Sequence, residues 1–127
     1  MRYLLDTHAI IWHFESSSKL PQNITKIIYN PKNIIYISSI SLWEIAIKMK
    51  LNKLDLSITL DDMLMRIKNS DINVLQIEDE YLQILSKLPF LHKDPFDRLL
   101  ISTALVEDLK FITVDENIQK YDVVWIW

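Results

Sequence analysis

Five short runs of apolar, β-favouring residues punctuate this chain, and stretches with helical periodicity separate them. The runs are Tyr3-Leu4-Leu5, Ile34-Ile35-Tyr36-Ile37, Val74-Leu75-Gln76-Ile77, Phe111-Ile112-Thr113-Val114 and Val123-Val124-Trp125-Ile126. Most are continuously hydrophobic rather than alternating, which suits strands of a parallel sheet buried on both faces. Between them, Phe96, Leu99, Leu100, Thr103 and Ala104 fall at i, i+3, i+4, i+7 and i+8, one face of a helix. Leu60, Met63, Leu64 and Ile67 repeat that spacing, and Ile24, Ile27 and Ile28 follow it after Pro21. The segment Ser41–Leu51 is apolar nearly all round, so its helix should be largely buried or lie at an interface. Asn52, just beyond it, can supply the left-handed stop that Gly usually provides. Trp125 and Trp127 alternate about Ile126 as in a terminal strand. Strands alternating with helices imply an α/β fold with right-handed crossovers.

The 127 residues are most simply one domain, residues 1–127, with half of them hydrophobic and so ample for a packed core. No apolar run reaches the roughly 18 residues of a membrane span, and the N-terminus lacks a signal-peptide layout. The expectation is a soluble, cytoplasmic protein. Cysteine is absent, which removes disulfides, thiol nucleophiles and thiolate zinc sites. Glycine is absent too, which excludes P-loops, dinucleotide-binding fingerprints, nucleophile elbows and EF-hand loops. A formal charge of −3 argues against a protein that coats nucleic acid generally, but leaves room for local cations around a metal.

Acids mark the ends of the strands. Asp6 ends the first, Glu44 follows the second by a few residues, and Asp115 ends the Phe111–Val114 run. Asp94 and Asp97, in His92-Lys93-Asp94-Pro95-Phe96-Asp97-Arg98, open a helix that should return to the same sheet edge. In open α/β sheets ligands bind beyond the carboxyl ends of the strands. Each acid also has a structural explanation. Ser41-Leu42-Trp43-Glu44 matches a capping box; Asp94-Pro95-Phe96-Asp97 reads as N-cap, Pro at N1 and acid at N3; Asp6 and Asp115 can each cap the helix that follows. Ser, Thr or Asn would cap as well, however, and two carboxylates about 4 Å apart repel by roughly 4 kcal/mol at an effective dielectric near 20. A hard divalent cation would turn that repulsion into binding. His92 is the histidine best placed for function, with packing of its loop as the competing role.

Leu4-Leu5-Asp6-Thr7-His8, the stretch Ser38–Ala46, Asp94–Arg98 and Thr113-Val114-Asp115-Glu116-Asn117 occur here in an order and spacing that resemble the PIN-domain ribonucleases, specifically the VapC-type toxins of toxin–antitoxin pairs. The resemblance covers essentially the whole chain, with Asn52 standing where many relatives carry Gly. It implies a three-layer α/β/α fold with a five-stranded parallel sheet, and Mg²⁺- or Mn²⁺-dependent cleavage of RNA phosphodiesters. The family's acidic constellation maps onto Asp6, Glu44, Asp94 and Asp97, with Asp115 as a further metal-ligand candidate. A homodimer and a cognate antitoxin that blocks the site are implied as well.

On this reading the acids position one or two metal ions. Thr7, Ser38 and Ser39 are candidates to orient ligands or waters. Arg98 is a candidate for a phosphate contact or for an ion pair with a neighbouring acid. Two other readings stand beside this one. A receiver-like phosphoacceptor domain is also α/β with acids at strand ends, but it needs adjacent acids after an early strand and a lysine at a late strand end. A catalytically silent interaction protein would use the acids as caps and the apolar helix as its partner surface.

Overall fold

A computed structural model describes residues 1–127 and contains the five expected strands: β1 (Arg2–Leu5), β2 (Ile34–Ser38), β3 (Asn73–Leu75), β4 (Lys110–Ile112) and β5 (Trp125–Ile126). All pairings are parallel, in the order β3-β2-β1-β4-β5. The connections carry α1 (Thr7–Phe14) and α2 (Gln22–Tyr29), then α3 (Ser39–Lys50) and α4 (Leu60–Lys68). After β3 come α5 (Asp79–Lys87) and α6 (Pro95–Glu107), and α7 (Glu116–Gln119) follows β4.

Strand periodicity divides the core in two. Tyr3, Leu5, Ile35, Ile37 and Ile112 face a layer that includes Ala9, Ile10 and Ile11 of α1, Ile24 of α2 and Met63 and Ile67 of α4. Leu4 and Phe111 point the other way, against Tyr81 of α5, Leu100, Ile101 and Ala104 of α6 and Ile118 of α7. The result is three layers, α/β/α, with both faces of the sheet covered as a parallel sheet requires. No helix is long and apolar enough to cross a membrane.

Several strands are shorter than their apolar runs: Ile77, Val114 and Val124 fall outside them and are exposed. Helix α5 carries little signal in the sequence. Tyr81, Leu85 and Leu88 at i, i+4 and i+7 pack on the second core, but only Tyr81 is buried within it. Helix α3 is less enclosed than its composition suggests: Ile40, Ser41, Glu44 and Ile45 are buried while Trp43 is exposed.

Three small polar residues take the left-handed backbone positions that glycine would otherwise fill: Ser16, Asn52 and Asp108. At the end of α3, Asn52 has φ 56°; its N–H donates to Met49 O at 3.1 Å, and Lys53 N donates to Lys48 O at 2.9 Å. That pair of bonds is a Schellman stop built on Asn. Asn52→Ala should therefore destabilise the protein by about 1 kcal/mol, whereas Asn52→Gly should be neutral or stabilising. Urea midpoints at constant m value check this.

Candidate active site

Because the strands are all parallel, every segment leaving their carboxyl ends emerges on one side. The strand order reverses direction at β1, so the crevice between β1 and β4 is the switch point where α/β sheets gather ligands. Asp6 sits there. Its backbone N–H donates to Ile112 O at 3.1 Å, continuing the β1–β4 ladder by one residue. The side chain, 2% exposed, caps α1 by accepting from Ala9 N at 2.8 Å through Oδ1. Its Oδ2 accepts from the Thr113 hydroxyl at 2.5 Å. Burial raises the Asp6 carboxyl above the usual carboxylate range, against the opposing effect of the Thr113 and Ala9 hydrogen bonds.

At the end of β2, the structure corrects the expected capping box. Ser38 is the N-cap and accepts from Ile40 N at 3.1 Å, so α3 starts three residues earlier than a Ser41 cap would place it. Ser41 instead lies inside the helix, buried, and accepts a 3.0 Å hydrogen bond from the Thr7 hydroxyl, tying α3 to α1. Glu44 is thereby moved from the first turn to the second, where capping is not open to it. It is 5% exposed; Oε2 meets Lys48 Nζ at 2.9 Å, while Oε1 is buried with no hydrogen-bond partner.

Helix α6 starts as its sequence predicts. Asp94 is the N-cap, accepting from Asp97 N at 3.0 Å, and Pro95 occupies N1. Asp97 follows on the first turn, with Oδ2 at 3.2 Å from His92 Nε2. Its carboxyl is pushed up to about 8, by burial first and then by the negative charges of Asp94, Asp115, Glu44 and Asp6. Those charges reach Asp97 from elements that are far apart in the chain, so the five acids come from four separate parts of the sequence. Asp115 completes the rim: it caps α7 through Asn117 N at 2.9 Å, and its own N–H donates to Thr113 Oγ1 at 3.0 Å.

The donors on offer are carboxylate oxygens, suited to hard divalent ions. Glu44 Oε1 is the clearest mark of fit, since a buried carboxylate oxygen without a partner costs at least about 1–3 kcal/mol. No three of the acids close around a common point as a ready-made ligand set.

Residues 3–124 match the PIN domain family. This chain belongs to the PIN domain family. Among solved structures, VapBC2 from Rickettsia felis, bound to a DNA fragment from its promoter, is similar with a TM-score of 0.75 and 20% identity, covering 100% of this chain and 99% of that one. A toxin–antitoxin complex from Klebsiella pneumoniae gives 0.67 and 20%, covering 98% and 96%. The PIN domain endonuclease Utp24 gives 0.54 and 18%, covering 94% and 74%. No curated protein sequence matches the chain.

In this PIN domain the supporting residues differ in part from those expected. Thr7 bonds Ser41, and Ser38 is committed to its cap; Ser39 has no side-chain hydrogen bond. Arg98 makes no ion pair with a neighbouring acid; its guanidinium is buried. It donates to Pro89 O at 2.9 Å and to the Tyr121 hydroxyl at 2.9 Å, under the ring of Phe90. Thr113, Ser41, Lys48 and Tyr121 went unread as site residues. Only Lys48 carried a local signal, its i, i+4 spacing from Glu44; the others depend on contacts across the fold.

The raised carboxyl of Asp97 makes metal-free stability pH-dependent. Between its ordinary value of 3.8 and about 8 the folded protein holds a proton that the unfolded chain has released. Stability is therefore greatest at the acid end of this window and is lost as pH rises through about 8. The melting temperature of metal-free protein should fall between pH 5 and 8, Asp97→Asn should flatten that fall, and millimolar Mg²⁺ should reverse it most at pH 8. Identical, flat profiles for both proteins would contradict the account.

Proposed function

We propose that this PIN domain is a Mg²⁺- or Mn²⁺-dependent endoribonuclease, the VapC-type toxin of a toxin–antitoxin pair, cytoplasmic and homodimeric, and silenced by its cognate antitoxin. The observation that carries the reading is the convergence of Asp6, Glu44, Asp94, Asp97 and Asp115 at the switch-point crevice, with Glu44 Oε1 buried and unpartnered. Membership of a nuclease family supports hydrolysis. The similarity to a VapBC assembly and to a toxin–antitoxin complex supports the antitoxin partner. The homodimer and the RNA substrate rest on the family resemblance.

Asp6, Glu44, Asp94 and Asp97 would hold the ion, with Asp115 as the outermost member. A bound divalent ion supplies a water of lowered pKa and offsets charge developing at phosphorus during in-line displacement. The chain's own part is to hold its oxygens ready. Thr113 and Ala9 fix both oxygens of Asp6, Asp94 is fixed through its cap, and Lys48 balances one oxygen of Glu44. Lys48, Lys50 and Lys53 gather at the end of α3, a local source of positive charge for an RNA backbone on an otherwise acidic protein. Beside the acids, Trp43 and Phe96 meet edge to face with centroids 5.3 Å apart. Trp43 remains 59% exposed, an apolar step that an antitoxin segment lying over the crevice would cover.

Asp6→Asn and Asp97→Asn should each lower metal-dependent RNA cleavage by at least about a hundredfold, about 2.7 kcal/mol of transition-state stabilisation, without loss of fold. Cleavage assays with metal-replete, purified variants check this. Full activity in both would sink the assignment, and no activity in the parent protein would favour the silent interaction protein. Asp94 separates cap from ligand. Asp94→Asn should keep the stability while weakening cleavage, and Asp94→Ala should in addition cost about 1 kcal/mol by denaturant unfolding.

A further inference from the structure

The acids do not account for the side chains behind Asp97. The Tyr121 hydroxyl, buried between α7 and the loop before α6, meets four nitrogens. Leu91 N and His92 N lie at 3.2 Å, Arg98 Nη1 at 2.9 Å and His92 Nδ1 at 2.9 Å. The first three can only donate. A phenol oxygen has one proton and two lone pairs; the two backbone N–H groups, both at 3.2 Å, and Arg98 share the lone pairs, and of the four nitrogens only His92 Nδ1 can accept the proton. An Nδ1 that accepts leaves the ring proton on Nε2, and Nε2 faces Asp97 Oδ2 at 3.2 Å. The order of donation is thus set from the far end: Arg98 and the loop backbone to Tyr121, Tyr121 to His92, His92 to Asp97.

Arg98 is itself held firmly. It is buried, donates to Pro89 O, and lies 4.7 Å from the centroid of Phe90. His92 stacks edge to face on Tyr121 with centroids 5.4 Å apart, which leaves the imidazole little freedom to turn. On the other side, Asp97 has only its Oδ2 engaged by this network.

We propose that His92 is a positioning residue for Asp97: fixed in its Nε2–H form by Tyr121 and Arg98, it holds Oδ2 and leaves Oδ1 as the oxygen offered to a divalent cation. This rests on the reading of Asp97 as a metal ligand. An acid held from behind by a donor of fixed tautomer needs less ordering when the ion arrives, and loss of such a support typically costs 10–100-fold in metal affinity. The same contacts also brace the loop, so the test must read something that bracing alone would not move.

Two measurements do so. Long-range proton–nitrogen NMR of the three histidine rings, with His92 assigned by its disappearance in His92→Gln, should show Nδ1 of His92 as the nitrogen without a proton and Nε2 as the one that carries it. Tyr121→Phe, which removes only the hydroxyl, should abolish that preference. Mn²⁺ affinity, read from the free-ion EPR signal, should weaken at least about tenfold in His92→Ala. His92→Gln, whose amide N–H₂ can replace the Nε2 donor, should stay within about threefold of the parent. Metal-free melts establish that each variant is folded, and the tautomer in the parent protein decides the matter even if His92→Ala is not. An Nδ1–H tautomer in the parent, or unchanged Mn²⁺ affinity in folded His92→Ala, overturns the proposal. Asp97→Asn is the reference: if it too binds Mn²⁺ like the parent, the reading of Asp97 as a ligand falls, and this inference with it. If Asp97→Asn binds weakly while His92→Ala does not, only the positioning role fails.

Discussion

One constraint governs the molecule: its five strands all run the same way. A parallel sheet buries its faces under helices and sends every chain segment out of the same edge, so Asp6, Ser38 and Thr113 emerge side by side. Helix α6 leads into β4 and must therefore begin at that edge, which brings Asp94 and Asp97 to meet them. The shared edge brings five acids from four sequence regions to the same side of the sheet.

Burial there opposes charge. Asp6 and Asp97 are both raised above the usual carboxylate range by desolvation, Asp97 further by its acidic neighbours. The fold offsets part of this cost with helix N-termini. Asp6, Asp94 and Asp115 each accept a backbone N–H where the helix dipole favours negative charge. Capping and ligation are therefore not rival explanations. The cap fixes the carboxylate, and its charge, which a cap does not require, is what a cation would use. Glu44 has no cap to occupy it, and one of its oxygens is left buried without a partner.

The layers, the parallel sheet and the N-terminus of α6 were legible in the sequence because they depend on local pattern: apolar runs, helical spacing, and Asp-Pro followed by an acid. The start of α3 was not, because Ser38, Ser39 and Ser41 are all competent caps and the choice of Ser38 reflects where β2 ends. Helix α5 was missed because its buried stripe is thin. Arg98 forgoes the ion pair for a different reason. Next to Asp97 in sequence it looks like a partner for an acid, but a residue one step along a helix points about 100° away, and here that direction is inward, to Tyr121 and Pro89. Contacts such as Thr113–Asp6 and Tyr121–His92 join residues 107 and 29 positions apart, and no local pattern announces them.

The central claim is that these acids form a cation site, and anomalous diffraction from Mn²⁺-soaked crystals addresses it directly. The account predicts a peak in the crevice between β1 and β4, with oxygens of Asp6 or Asp97 among its ligands and Glu44 Oε1 reached directly or through water. A crevice empty at millimolar Mn²⁺ and neutral pH, or manganese bound only elsewhere on the surface, would contradict it.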